Sequence, residues 1–375
     1  MKGISLVLNN FKNDNRVYRV AMALNQRGHE VHVVALKKGD VQEHEIVNGL
    51  RVHRVSLKSL QLPENNKFYG AIKYAEFFLR VIGAYRKYDV WHCNDFEAFL
   101  IGLLAKITRP KLKLVYDAHE YERERFGIGK FVRNFISFFE KMGIPFAETV
   151  ITVSPSILAE YKRLYRPKSI HLLRNTPHFN PTQKHNIFRE QLAIRADQMI
   201  FLYQGGIVTG RGVEALVEAF VSRESDEAVL VVMGEGNKSN MVKEAAAKSG
   251  NVFYVRSVPY QDIMRYSSSA DVGFNSTQNV CLNNYYCLPN KFFEYIQAGL
   301  PIISNYLPDC KALIEKYNIG KVLAHYNVEE INKAVDEMIQ TDLAIYQDGL
   351  KLAGDELNWE KEEEKMHDIY SFLKK

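Results

Sequence analysis

Asn290, Lys291 and Glu294 stand at the head of the run Leu288-Pro289-Asn290-Lys291-Phe292-Phe293-Glu294-Tyr295-Ile296-Gln297-Ala298-Gly299-Leu300-Pro301. The run reads as a helix: Pro289 suits a first turn, Gly299 suits a C-terminal cap, and Pro301 forbids continuation. Asn290 and Glu294 are four apart and therefore share a face. The free N–H groups of a helix start, with the positive end of its dipole, attract an anion. A carboxylate there can accept hydrogen bonds from sugar hydroxyls, while Lys291 answers a phosphate. This is the chemistry of a nucleotide-sugar pocket. Each residue also has a plainer role: Glu294 as a first-turn glutamate, Lys291 as cover for apolar surface, Asn290 as its own helix cap.

The elements that must position these groups alternate along the chain. Strand patterns fall at Ile4–Leu8, Val31–Leu36, Val52–Ser56, Val90–Cys93, Leu112–Tyr116 and Val150–Val153. Amphipathic helical patterns lie between them at Arg16–Arg27, Tyr69–Lys87, Glu97–Lys106, Gly129–Met142 and Pro155–Leu164, the last capped by Ser154. The alternation breaks at Arg174-Asn175-Thr176-Pro177-His178-Phe179-Asn180-Pro181, then restarts. Strands are expected at Met199–Tyr203, Val229–Met233, Val252–Arg256, Val272–Asn275, Pro301–Ser304 and Lys321–Leu323. The helices between them are Val213–Ser222, Asn240–Ser249, Gln261–Ser268, Asn290–Gln297, Lys311–Tyr317 and Val328–Ile339. The pattern predicts an α/β chain of two doubly wound parallel-sheet domains, 1–175 and 176–357, with a helical tail at 358–375 packing back on the first. Ligands of such sheets sit outside the carboxyl ends of the strands.

Composition sets bounds. Apolar residues make up 46% and charged residues 25% of the 375 positions, as in soluble globular proteins. No apolar run reaches membrane-spanning length and no signal peptide is expected. Cys93, Cys281, Cys287 and Cys310 have no metal-ligand spacing and read as reduced thiols of a cytoplasmic protein. Residues 1–175 carry 29 Lys and Arg against 17 Asp and Glu, and the rest 20 against 27, so +12 in one half meets −7 in the other. With no nucleic-acid motif beside them, the basic residues point to an anionic membrane surface, and no nucleic-acid partner is expected.

In order and spacing, the strand-end segments resemble family 4 glycosyltransferases of the GT-B fold. They are Asp14-Asn15-Arg16-Val17, Gly28-His29-Glu30-Val31, Tyr116-Asp117-Ala118-His119-Glu120 and Val150-Ile151-Thr152-Val153-Ser154. In the second half come Tyr203-Gln204-Gly205-Gly206 with Gly210-Arg211-Gly212, then Val232-Met233-Gly234-Glu235-Gly236, then the Pro-Asn-Lys helix running into Gly299-Leu300-Pro301. The last motif resembles a bacterial surface-polysaccharide branch. Gly206 stands where that family often has an arginine, and Tyr286 where it often has a glutamate. Asn9-Asn10-Phe11-Lys12-Asn13 replaces the usual glycine-rich first loop.

The resemblance implies two Rossmann-like domains facing a cleft, the first binding an acceptor and the second a nucleotide-diphospho sugar. His119, Arg211 and Glu294 are then the catalytic candidates. Gly205, Gly206, Arg211, Gly234, Val258, Asn290, Lys291 and Glu294 form the donor site, and Lys12, Arg16 and Glu120 are candidate acceptor contacts. His119, with Asp117 and Glu120 to orient it, would touch the donor sugar. Arg211 would neutralise the leaving diphosphate. No Asp-x-Asp pair follows a strand, so no metal and no cofactor beyond the donor are expected. The acidic run Glu120, Glu122, Glu124 reads as a solvated face. Phe131, Phe135, Phe138 and Phe139, interleaved with Lys130, Arg133 and Lys141, read first as core packing and second as an interfacial helix. The expected activity is retaining transfer of a sugar to a saccharide or lipid-linked acceptor in surface-polysaccharide synthesis, at the cytoplasmic membrane face. A sugar-nucleotide 2-epimerase and a non-catalytic sugar-nucleotide binder are the alternatives. The first strand lacks the GxGxxG of a dehydrogenase.

Overall fold

The structure is a computed structural model that describes residues 1–12, 14–63, 67–180 and 183–374. Asn13 of the first strand-end loop, Pro181 of the expected linker and Lys375 of the expected tail lie outside the described residues. The chain divides into two compact units, Met1–Leu173 with Glu363–Lys375, and Arg174–Glu362.

In the first unit, strands β1 (Lys2–Leu6), β2 (Glu30–Leu36), β3 (His44–Val47), β4 (Leu50–Val55), β5 (Val90–Asn94), β6 (Lys113–Ala118), β7 (Thr149–Thr152) and β8 (Ile170–Leu172) form one sheet. Their order is β3-β4-β2-β1-β5-β6-β7-β8. The central strands are buried along nearly their whole length, as parallel strands covered on both faces must be, and they carry His92 and Asp117 among their apolar residues. β3 and β8 were not expected. β3 pairs antiparallel with β4, so the sheet is not wholly parallel. Four residues with alternating exposure on a sheet edge leave too little apolar pattern to read. Helices α1 (Asn15–Gln26), α2 (Lys67–Ala84), α3 (Asp95–Thr108), α4 (Lys130–Gly143) and α5 (Pro155–Tyr165) connect the strands. Asp14 caps α1 by accepting from the Val17 amide at 3.1 Å, and Ser154 caps α5 through the Ile157 amide at 3.3 Å.

The second unit is a six-stranded, wholly parallel sheet. Its strands are β9 (Met199–Gln204), β10 (Ala228–Met233), β11 (Val252–Val255), β12 (Val272–Asn275), β13 (Ile302–Ser304) and β14 (Gly320–Val322), ordered β11-β10-β9-β12-β13-β14. Its helices are α6 (Ile187–Leu192), α7 (Val213–Val221), α8 (Ser239–Lys248), α9 (Ile263–Ser267), α10 (Leu282–Tyr285), α11 (Asn290–Gln297), α12 (Pro308–Tyr317), α13 (Val328–Ile339) and α14 (Gln347–Glu356). The short α6 and α10, and α14, were not anticipated. The expected tail helix is broken into α15 (Trp359–Glu364), α16 (Met366–Ile369) and a closing 3₁₀ turn. Within the first unit, Arg27 pairs with Glu363 at 2.7 Å and the Tyr370 hydroxyl lies 2.5 Å from His92 Nδ1. Among the described residues, no helix is long and apolar enough to cross a membrane.

The loops after β9 and β10 are laced together. The Gly205 amide donates to Met233 O at 3.0 Å and the Ile207 amide to Glu235 O at 3.0 Å. A Cβ on Gly234, whose φ is +153°, would lie 1.9 Å from the Gly205 carbonyl oxygen. Gly234→Ala is therefore expected to cost about 2 kcal/mol or more, from backbone strain and a collision no side chain can relieve. Chemical denaturation measures the loss, and a stability within 0.5 kcal/mol or so of wild type would contradict it.

Candidate active site

In the second unit, α11 is held under β9 by two side chains. Tyr295 reaches beneath the sheet, accepts from the Gln204 amide at 3.0 Å and donates to Leu202 O at 3.1 Å. Gly273 makes room for it, since a Cβ there would meet the Tyr295 ring at 2.5 Å. Glu294 accepts from Gln204 Nε2 at 2.5 Å, and Gln204 Oε1 accepts from Ser267 Oγ at 2.6 Å. Glu294 also lines a cavity of about 160 Å³ with Tyr260, Met264 and His178. Gln204, Tyr295 and Tyr260 were missed in the sequence. Of these, Gln204 at a strand end was the readable signal.

Pro289 precedes the helix with an extended backbone and is not in its first turn. Asn290 is the first helical residue and does not cap α11. Its Oδ1 accepts instead from Asn175 Nδ2 at 2.9 Å. Gly299, at φ +71°, ends the helix.

Lys291 does not cover surface; only 8% of it is exposed. Its ammonium lies 3.7 Å from the centroid of the Tyr203 ring and has no hydrogen-bond partner among the described residues. A Cβ on Gly205 would stand 3.8 Å from it. Burial, with repulsion from Arg211 added, lowers its pKa to about 7, and Glu294 only partly opposes this. The cation–π contact offsets roughly 2 kcal/mol at best.

Arg211 sits on the loop before α7. Its carbonyl accepts from Ser276 Oγ at 2.6 Å, and the Gly212 carbonyl accepts from Tyr326 Oη at 2.7 Å. The half-exposed guanidinium makes no ion pair among the described residues. Gly206 is exposed, and a Cβ there would meet nothing nearer than Val208 at 3.9 Å. Val258 is half-buried and packs against the core of this unit. The structure thus groups Gly205, Gly234, Lys291 and the Arg211 loop, with Glu294 one helical turn further on.

In the first unit, His119 follows β6 and is 16% exposed. Burial pushes its pKa down, but the Asp95 and Asp117 carboxylates outweigh this and hold it above the usual histidine value. Asp95 Oδ1 is 3.4 Å from Nδ1 and Asp117 Oδ2 is 3.5 Å from Nε2. Asp95, at φ +64° where α3 begins, was not anticipated, and it takes the orienting role expected of Glu120. Glu120 is exposed.

Arg16 is not available to an acceptor. It is buried, and its Nε and Nη2 hold Asp117 at 3.2 and 2.7 Å while Nη1 donates to Leu173 O at 2.9 Å. The pair lies across the first sheet, out of reach of any local sequence pattern. Burial raises the Asp117 carboxyl, yet Arg16 and the neighbouring imidazoles win and hold it well below the usual range. Lys12 is exposed beside β1. The acidic run is no solvated face: Glu122 and Glu124 are buried in a 3₁₀ turn, and burial pushes the Glu122 carboxyl well up.

The Glycosyltransferase Family 4 model matches residues 14–176, and the Glycosyl transferases group 1 model matches 184–348. An uncharacterized glycosyltransferase of Methanocaldococcus jannaschii is 27% identical over 336 residues, 85% of this chain and 83% of its own length. Sucrose-phosphate synthase of Thermosynechococcus elongatus shares the fold at a TM-score of 0.79 and 17% identity, covering 100% of this chain and 99% of that one. Anabaena HepE, solved with UDP-glucose, shares it at 0.79 and 14% identity, covering 100% of both chains. The chain belongs to the family 4-like glycosyltransferases and has the GT-B fold of two parallel-sheet α/β domains.

Lys291 also sets a pH dependence. Its folded pKa of about 7 lies below the ordinary 10.5, so between those values the unfolded chain binds the extra proton and stability rises with pH. Below about 7 the cost is fully felt, at roughly 1.4 kcal/mol per unit of depression. Lys291→Met is expected to raise the thermal midpoint at pH 7 while weakening nucleoside-diphosphate binding at least about tenfold. Thermal melts and titration calorimetry read both; tighter binding or a lowered midpoint would contradict the reading.

Proposed function

We propose that this glycosyltransferase is retaining and takes a nucleotide-diphospho sugar on its second unit. The buried, partnerless ammonium of Lys291, beside Gly205 and the Arg211 loop, carries the reading. The diphosphate lies between these two cations, and Glu294 receives ribose hydroxyls at the mouth of the cavity it shares with Tyr260. That HepE was solved with UDP-glucose supports a donor of this chemical class. The first unit, with Lys12 and Glu120 as candidate contacts, binds a saccharide or lipid-linked acceptor at the cytoplasmic membrane face, in synthesis of surface polysaccharide.

In the reaction, the bond from the anomeric carbon to the diphosphate breaks as the acceptor hydroxyl oxygen attacks from the same face. The electron pair leaves with the nucleoside diphosphate, and the hydroxyl proton passes to a diphosphate oxygen. Arg211 and Lys291 stabilise the charge that develops there, which makes the reaction metal-independent in this proposal. His119, held between two carboxylates, hydrogen-bonds the donor sugar. A 2-epimerase or a non-catalytic binder is not favoured, because the family models over both halves are those of glycosyltransferases.

Acceptor-dependent release of nucleoside diphosphate from a panel of UDP-, GDP- and other nucleotide sugars tests the proposal. Arg211→Ala and Lys291→Ala should each lower kcat/KM by roughly 10- to 100-fold, the worth of one charge-assisted hydrogen bond. Glu294→Ala should raise the donor KM with the fold intact. Gly206→Arg, placed in the Lys291→Ala background where the loop has room for a side chain, should recover part of the loss. Wild-type rates in the Arg211 and Glu294 variants would remove the site assignment.

A further inference from the structure

Most of the phenylalanine stripe of α4 faces outward; Phe139 is half-buried and Phe135 packs edge-on against the buried Phe96. Phe131 is 82% exposed, Phe138 59%, Met142 57% and Phe146, just beyond the helix, 56%. Val132, Phe135 and Phe126 are exposed as well. Such a row of large apolar side chains marks an interaction surface. Beside it, α3 and α4 approach closely at Gly143, where a Cβ would strike Leu103 Cδ1 at 2.2 Å. The two helices then part around a groove of about 440 Å³. Leu100, Leu103, Leu104, Ile107, Met142 and Phe146 line it, and 75% of Ile107 is exposed at its edge.

The charges around the groove are of one dominant sign. Lys111, Lys130 and Lys141 are exposed and make no ion pair among the described residues. Arg133 pairs with Glu124 at 2.9 Å, and Lys106 lies 3.8 Å from Glu148. The one acidic residue of α4, Glu140, is turned inward and accepts from the Tyr116, Tyr161 and Tyr165 hydroxyls at 2.8, 2.6 and 2.6 Å. The outer face of α4 therefore presents aromatic rings and cations without an anion, the pattern of a helix lying in a membrane interface. A second copy of this chain would bring like charges together. An anionic bilayer offers both the complementary charge and chains narrow enough for the groove.

We propose that α4 and Phe146 seat the first unit on an anionic bilayer, with a lipid acyl chain lying in the groove between α3 and α4. This deepens the lipid-linked-acceptor reading by naming the surface that meets the lipid. Vesicle sedimentation without donor tests it, using phosphatidylcholine vesicles with and without phosphatidylglycerol. Wild type should bind the anionic vesicles more tightly, and Phe131→Ser with Phe138→Ser should weaken that binding at least about tenfold. Trp91 and Trp359, the two native tryptophans, are buried, so Ile107→Trp supplies a reporter. Its fluorescence should be quenched by lipids brominated along the acyl chain. No vesicle binding, unchanged binding in the double variant, or an unquenched Ile107→Trp would each overturn the proposal. So would a wild-type dimer that the double variant dissociates. Nucleotide affinity, measured on the same samples, should not change in the double variant. Loss of donor binding in wild type would fault the donor site and leave this surface standing.

Discussion

In the second unit an ammonium is held out of water with no counterion among the described residues, and the surrounding contacts keep it there. Lys291 would swing into solvent if α11 were free to turn, since a lysine stem is flexible and its charge strongly hydrated. Tyr295 and Glu294, one turn further along the same helix, prevent this by fastening α11 to the end of β9 through Gln204. Gly273, in the neighbouring β12, leaves the space through which Tyr295 passes. The Tyr203 ring returns only part of the lost hydration. The unit folds with a deficit that, in the proposed function, the diphosphate of the donor removes.

The first unit solves a different problem with the same means. Asp117 is fully buried, and Arg16 meets it with two hydrogen bonds while spending a third donor on Leu173 O. Removing either partner would strand the other charge, which costs more than the pair itself contributes. Asp117 stands one residue before Ala118 and two before His119, so the pair fixes the strand end on which His119 sits. Tyr370 holds His92, a further partner of Asp117, and thereby ties the C-terminal segment into the same network.

Legibility in the sequence followed the range of each interaction. α13 falls where its apolar period puts it, because burial of one face is a local signal. β12 and α11 are buried almost all round; β12 follows from a short apolar run, and α11 from the Pro and Gly boundaries of its segment. β3, a four-residue charged edge strand, has no such signal. Arg16 reads as a candidate acceptor contact because nothing near residue 16 announces a carboxylate 101 positions later. Asp95 went unread for the same reason, its partner His119 being 24 residues away. The α4 stripe failed differently. Its period was plain, but a period states that one face is apolar and not what covers that face.

Gly206 and Lys291 are best understood together. Where the family often carries an arginine on the loop, this chain has a glycine with open space around it, and a cation arrives at the adjoining Gly205 from α11 instead. Under the proposed function, the positive charge offered to a diphosphate is kept while the element supplying it changes. The exchange is not neutral in its physics. An arginine stays charged at any physiological pH, whereas Lys291, depressed to about 7, is half-charged there until an anion restores its proton. A phosphate contact made by such a lysine takes up a proton on binding and weakens as the pH rises through the restored pKa. If Lys291 holds the donor as proposed, moving the cation from loop to helix couples donor capture to pH in a way that an arginine at position 206 would not.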